Sequence, residues 1–244
     1  MCDAGGMVPA STKRLADPRF TARLAGACYL LTFLSGGLAL FARGGLIVTG
    51  DAAATATNIL AHESLYWLGV SANLVVVGSY IAVTALFYDL FKPVNRSLSR
   101  LAACFGLVGC AIQASACLFD LAPLVILRDA QYSMAFKAEQ LQALAQMFLK
   151  LEAQAFHIPF AFFGFYCFLI GCLILRSSFL PRILAGLMLF AGVSWLTFLS
   201  LPLAKALYPY ILAPGVVGEA SLTVWLLVKS VNVQRWKEQV GDLA

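Results

Sequence analysis

The sequence predicts an all-α fold: an integral membrane bundle of six transmembrane helices. Composition is the first observation. Of 244 residues, 61% are hydrophobic and 12% charged, against about 45–50% apolar and about 25% charged in soluble domains. So few charges cannot shield that much apolar surface from water. The second observation is length: six stretches hold the roughly 20 mostly apolar residues that a helix needs to cross hydrocarbon. They run over roughly 22–42, 65–91, 98–127, 153–175, 183–201 and 208–228. At these lengths, helices are what satisfies backbone polar groups in lipid. The third is charge placement. Of the 17 Lys and Arg residues, twelve lie before span 1, between spans 2 and 3, between spans 4 and 5, and after span 6. Five lie on the other side: Arg43, Arg128, Lys137, Lys150 and Lys205. The basic side normally faces the cytoplasm, so both termini are expected there. The net charge of +5 is this asymmetry. No stretch interleaves basic and aromatic residues as a nucleic-acid site would, so no nucleic-acid partner is expected.

Residues 1–20 read as a flexible cytoplasmic tail, small, polar and basic. Span 1 has the basic flank and small residues of a signal peptide, but its apolar run is too long and five more follow, so it reads as an uncleaved anchor. The loop after it, RGGLIVTGDAAATATNILAHES (43–64), holds Gly44, Gly45 and Gly50 and then Asp51, an N-cap for a helix of about 10 residues ending near His62. Ile59 and Leu60 either rest on the outer membrane surface or belong to a plain connector. Span 2 stops at Pro93, which cannot continue a helix. Asp89 has Lys92 three residues on, an interfacial ion pair. Before span 4, Leu141, Leu144, Phe148 and Leu151 form a helical stripe opposite Gln140, Gln142, Gln146 and Lys150. This amphipathic helix lies at the interface or caps the bundle's outer mouth. Spans 1, 3 and 5 open alike, RLAG at 23, RLAACFG at 100 and RILAG at 182, as three stacked hairpins would; positive-inside topology alone gives the same starts. The transmembrane domain thus covers 21–232, with a second cytoplasmic tail over 233–244. Of seven cysteines, six fall in apolar runs and none forms CxxC, so they read as small packing residues.

Polar residues in the spans are the candidates for function. Glu219, in APGVVGEASLTVWLLVK (213–229), has ten or so residues to either membrane edge and sits near the midplane. An ionised carboxylate there costs roughly 2.5–3.5 kcal/mol on insertion scales. It must face the bundle interior and be protonated, paired or hydrated. Gly215 and Gly218, one turn before it, permit close approach of a neighbouring helix. Asp120, His157 and Asn73 fall at similar depth in the outer third. Gln113 lies one heptad from Asp120 on its face, and Gln154 three residues before His157 on its face. This polar cluster, Glu219, His157, Asp120, Asn73, Gln113 and Gln154, serves one of two ends. It fixes helix packing, or it lines a cavity holding a protonatable or substrate-binding group. His62 is in a loop, and no HExxH or paired-His spacing occurs, so no metal is expected. GxSxG, P-loop and GxGxxG patterns are absent. That weighs against an enzyme, although distant residues can assemble a site.

The chain resembles a family of bacterial multi-pass membrane proteins of unknown function. The matching stretches are RGGLIVTGDAAATATNILAHES, KPVNRSLSRLAA (92–103), FLPRILAGLM (179–188) and GEASLTVWLLVKSVN (218–232). The family pattern has Pro where Thr49 stands and Gly where Ser230 stands. It includes Asp51, Asn95, Arg96, Pro181, Arg182, Glu219 and Trp225. The resemblance implies a bacterial inner membrane and brings no activity or cofactor with it. The resulting expectation is a protein that binds or carries a small or lipophilic molecule at a midplane polar site. The alternatives are a membrane-embedded enzyme or lipid-modifying factor using Asp120, His157 and Glu219, and a structural subunit. Membrane lipid and a small-molecule ligand are the partners; no oligomeric state follows.

Overall fold

The computed structural model describes residues 17–241; the tail expected over 1–20 lies, up to residue 16, outside them. Its helices are α1 (Pro18–Gly44), α2 (Ala52–Ala61), α3 (Glu63–Phe91), α4 (Arg96–Arg128), α5 (Ala130–Ala135), α6 (Ala138–Ala155), α7 (Ile158–Arg176), α8 (Arg182–Leu196), α9 (Leu201–Leu207), α10 (Leu212–Val228) and α11 (Val233–Gly241). A 3-10 turn, Thr197–Leu199, follows α8, and no strand occurs among the described residues. Five helical runs are long and apolar enough to cross a membrane, and α9 with α10 makes a sixth if that pair, bent by 84°, is one span.

Local chemistry sets the boundaries. The Asp17 carboxylate caps α1 by accepting from the Arg19 N–H (3.0 Å), with Pro18 at the first helical position. Asp51 caps α2 through the Ala54 N–H (2.9 Å). Asn95 caps α4 through the Leu98 N–H (2.8 Å). Each satisfies an otherwise orphaned donor. Pro93 follows the end of α3, and Pro181 directly precedes α8. The last turn of α10 ends at Ser230, in the left-handed region at φ 60°. Its N–H bonds back to the Trp225 carbonyl (2.9 Å), the kind of closure that glycine usually provides.

Each long helix packs on its sequence neighbour, and α10 returns to α1, so α1, α3, α4, α7, α8 and α10 close into a ring. Helix starts and ends alternate between two faces. The terminal face is tied by Ser230 Oγ donating to the Arg19 carbonyl (3.3 Å) and by α11. That helix lies across the face, with Trp236 Nε1 donating to the Leu90 carbonyl (3.0 Å) and Gln239 Nε2 to the Arg176 carbonyl (3.1 Å). Residues 233–241 are therefore a docked helix where a tail was expected. The opposite, distal face carries α2, α5, α6 and α9.

Three expectations change in detail. The fifth span ends earlier than 201, because α8 gives way to the 3-10 turn. The sixth, expected over 208–228, begins at Leu212 after a break holding Pro209, which lacks an N–H to continue the ladder. Ile59 is fully buried against Leu46, Tyr66, Val70, Leu124 and Leu149, while Leu60 is exposed. So α2 packs its Ile59 face onto the bundle.

The amphipathic helix α6 runs into α7, and together they form one apolar run over 138–176. Its buried stripe is Leu141, Ala145, Leu149 and Glu152. Leu151, assigned to the apolar stripe by sequence, is exposed. The helix is rotated from the expected face because it packs on α4 and α2 rather than lying free on the interface.

Two closely packed seams fix the ring around its sixth member. On α7 and α8, a Cβ at Gly164, Gly171 or Gly192 would come within 2.6–2.9 Å of the facing backbone nitrogen. On α10, a Cβ at Gly218 would sit 2.6 Å from the Leu187 carbonyl oxygen, and one at Gly215 would overlap the Trp195 ring. These glycines bring α8 near enough for Trp195 to reach Glu219.

Candidate functional site

Glu219 points into the ring and is 7% exposed. Neighbouring valines on the same helix, Val216, Val217 and Val224, are instead exposed on its outer side. Helix periodicity separates the two faces: Gly215, Gly218, Glu219 and Leu222 share the inner one.

Three other helices supply donors to the carboxylate. Tyr29 Oη on α1 donates to Oε2 at 2.6 Å. Trp195 Nε1 on α8 donates to Oε1 at 2.6 Å. The Cys167 thiol on α7 lies 3.6 Å from Oε1, so this cysteine does more than fill space. The carboxyl group ties α10 to α1, α7 and α8. No Lys, Arg or His forms an ion pair with it among the described residues.

Aromatic rings surround this centre. Tyr29 meets Tyr80 edge-on, with centroids 5.6 Å apart. Tyr80 lies 4.5 Å from Phe163 and 5.7 Å from Tyr166. Tyr80 and Tyr166 are buried, and neither hydroxyl has a well-formed hydrogen bond. That of Tyr80 is turned toward Cys167 and that of Tyr166 toward Thr84; the Thr84 hydroxyl itself is committed to the Tyr80 carbonyl (2.8 Å). Trp195 stacks on Phe160 (4.9 Å), Phe160 meets Phe198 (5.0 Å), and Phe198 stacks on His157 (5.5 Å). This aromatic ladder runs from the carboxylate to the distal end.

A second polar centre lies at the distal end. Arg43, at the last turn of α1, grips Glu152 of α6 through both terminal nitrogens (3.2 and 3.0 Å). The same guanidinium reaches Asp120 of α4 at 2.8 Å. Asn73 Nδ2 approaches Asp120 at 3.5 Å, and Tyr66 Oη donates to the Asp120 backbone carbonyl at 2.7 Å. The side chains of Arg43, Asp120 and Glu152 are 14%, 1% and 7% exposed. Gly69 makes room for this: a Cβ there would come within 2.9 Å of Arg43 Cγ. With both acids ionised, two negative charges share one positive charge in a buried site.

The structure therefore divides the polar residues that the sequence grouped together. Asp120 and Asn73 meet in the distal centre. Glu219 sits apart at the ring's centre. His157 is half-buried between α6 and α7, stacked on Phe198, and hydrogen-bonds neither acid among the described residues. Gln113 is buried in α4, and Gln154 is exposed. Asp89 and Lys92 pair at 2.7 Å, with about half of each side chain in the open, so the pair is worth ~0–1 kcal/mol. Arg43 and Glu152 were not singled out by sequence. Glu152 continues the α6 stripe three residues beyond Leu149, and that register is its signal. Tyr29 and Trp195 read as ordinary members of apolar runs. Among the described residues no three His, Cys, Asp or Glu side chains gather as metal ligands.

The model of one protein family, DUF4386, described as a domain of unknown function, matches residues 24–230. No curated protein and no solved structure matches the chain.

Proposed function

The chain, a multi-pass membrane protein, belongs to the DUF4386 family, and we propose that it binds and carries a small lipophilic molecule at the Glu219 site. The observation behind this reading is a lone carboxyl group, ringed by aromatic side chains of several helices and, among the described residues, without an ionic partner. An enclosed site with mostly apolar walls and a few convergent polar groups is the usual form of a small-molecule site. The Asp/His/Glu enzyme gains no support, because His157 contacts neither acid. A purely structural role has one observation in its favour: the three donors already engage both carboxylate oxygens.

Native mass spectrometry of the protein released from lipid nanodiscs separates the two. The carrier reading expects a stoichiometric small-molecule adduct that Glu219→Gln and Trp195→Phe lose while remaining folded. Identical spectra for wild type and variants, with only the unfolding temperature lowered, would leave Glu219 as a structural tie.

The same proposal sets the terminal face on the cytoplasmic side of a bacterial inner membrane. Support comes from ten described Lys and Arg residues at or next to that face, against five on the distal side.

A further inference from the structure

We propose that the ligand of the Glu219 site is a lipophilic cation, an organic ammonium of modest size, which takes the place of a proton on the carboxyl group. This rests on the binding reading above and names its chemistry.

The first argument is charge. Glu219 is surrounded by neutral groups on every packed helix: Tyr29 from α1, Tyr80 from α3, Tyr166 and Cys167 from α7, and Trp195 from α8. Among the described residues no cationic side chain pairs with it. A bare anion at mid-membrane depth is expensive, so the site holds one positive charge, either a proton or a ligand. The two are mutually exclusive at a single carboxyl group. When a cation binds, the proton leaves to water, and the net charge of the site is unchanged.

The second argument is the wall. Ring faces attract cations, and ammonium recognition by aromatic cages is the general functional use of that attraction. Tyr29, Tyr80, Phe163, Tyr166 and Trp195 put five rings into this part of the core. Rings alone would suit any apolar guest; rings around an anionic acceptor select a positive one.

The third argument is independent of both. The Tyr80 and Tyr166 hydroxyls are buried within this core, turned toward Cys167 and Thr84, and neither makes a well-formed hydrogen bond. Native cores leave few such groups, and each calls for an explanation. A bound N–H group, or the water that accompanies it, would satisfy them.

Charge at the distal face agrees. With both acids ionised, the Arg43, Asp120 and Glu152 centre carries an excess negative charge. The opposite face is strongly basic, so a cation is drawn to the distal end, where the aromatic ladder begins at His157.

The test is isothermal titration of the full chain in phosphatidylcholine nanodiscs, with empty discs as the blank. The probes are benzylammonium and ethylbenzene, which share a shape and differ in charge, the ammonium carrying the N–H donors that the site would engage. Titrating in buffers of different ionisation enthalpy counts the protons released. The proposal expects the ammonium to bind with one proton released per site. Glu219→Gln should weaken it about 100-fold, with helicity unchanged. Tyr80→Phe, which removes a hydroxyl without a well-formed hydrogen bond, should fold normally and weaken the ammonium several-fold. Binding of ethylbenzene that Trp195→Phe weakens, with no binding of the ammonium, would overturn the cation and leave the lipophilic-ligand reading standing. Ammonium binding without proton release, or unaffected by Glu219→Gln, would also overturn the cation-for-proton exchange. Heats equal to the empty-disc blank for both probes would overturn the two readings together.

Discussion

Replacing Arg43 by methionine is the sharpest perturbation of the distal centre. The guanidinium makes four contacts of 2.8–3.3 Å with two carboxylates, and both acids are more than nine-tenths buried. Methionine fills similar space without charge, so two like charges remain enclosed with no counter-ion. Breaking a buried ion pair from one side typically costs about 3–5 kcal/mol, and the mutual repulsion of Asp120 and Glu152 pushes toward the upper end. Lysine should recover only part of that, because a point charge cannot fork between two carboxylates. Adding Asp120→Asn and Glu152→Gln to Arg43→Met removes the stranded charges. The triple variant should return to within about 2 kcal/mol of wild type, since neutral replacement of a whole buried ionic group is often tolerated. The assay is equilibrium unfolding in mixed micelles, followed by tryptophan emission and extrapolated linearly. A loss below about 1 kcal/mol for Arg43→Met, or a triple variant no better than the single one, would refute the reasoning.

Other consequences can be checked in the same way. Gly218→Ala places a Cβ 2.6 Å from the Leu187 carbonyl oxygen and should cost about 1–3 kcal/mol by overpacking. Gly186→Ala, on the same neighbouring helix but facing open space, should instead gain about 0.5–1 kcal/mol. Ser230→Gly relieves the left-handed backbone at φ 60° and should stabilise by up to about 1 kcal/mol, less the weak 3.3 Å bond from Ser230 Oγ to the Arg19 carbonyl; a fall in unfolding temperature would show that this bond dominates. With the terminal face cytoplasmic, a green fluorescent protein fused after Ala244 should glow and alkaline phosphatase inserted after Ala135 should be active. The reverse pattern would invert the topology.

Much of the fold was legible because lipid imposes simple requirements. Asp51 marked a helix start, and the structure gives it that capping role. The left-handed backbone that Ser230 adopts is a physical reason for the glycine that the resemblance implies there. The inward face of Glu219 followed from its charge and from Gly215 and Gly218. Depth alone, however, cannot tell which helices adjoin. Asp120 and Glu219 looked like one cluster because distance along a span says nothing of position around a ring. Arg43 was read as a loop charge, since it ends an apolar run. Only packing on α4 and α6 turns it inward. The α6 register was off for a related reason: a stripe broad enough to include Leu151 does not reveal that Glu152, one residue on, faces the ionic centre.

The central claim is that α10 lies in lipid with Glu219 turned into the ring. Nitroxide scanning of residues 215–226, in a variant with its native cysteines replaced, tests it most directly. Oxygen accessibility should oscillate with a helical period, high at Val217 and Val224 and low at Gly218, Glu219 and Leu222, while a water-soluble nickel complex reaches none of them. A maximum at Glu219, or nickel access along the whole outer stripe, would contradict the account.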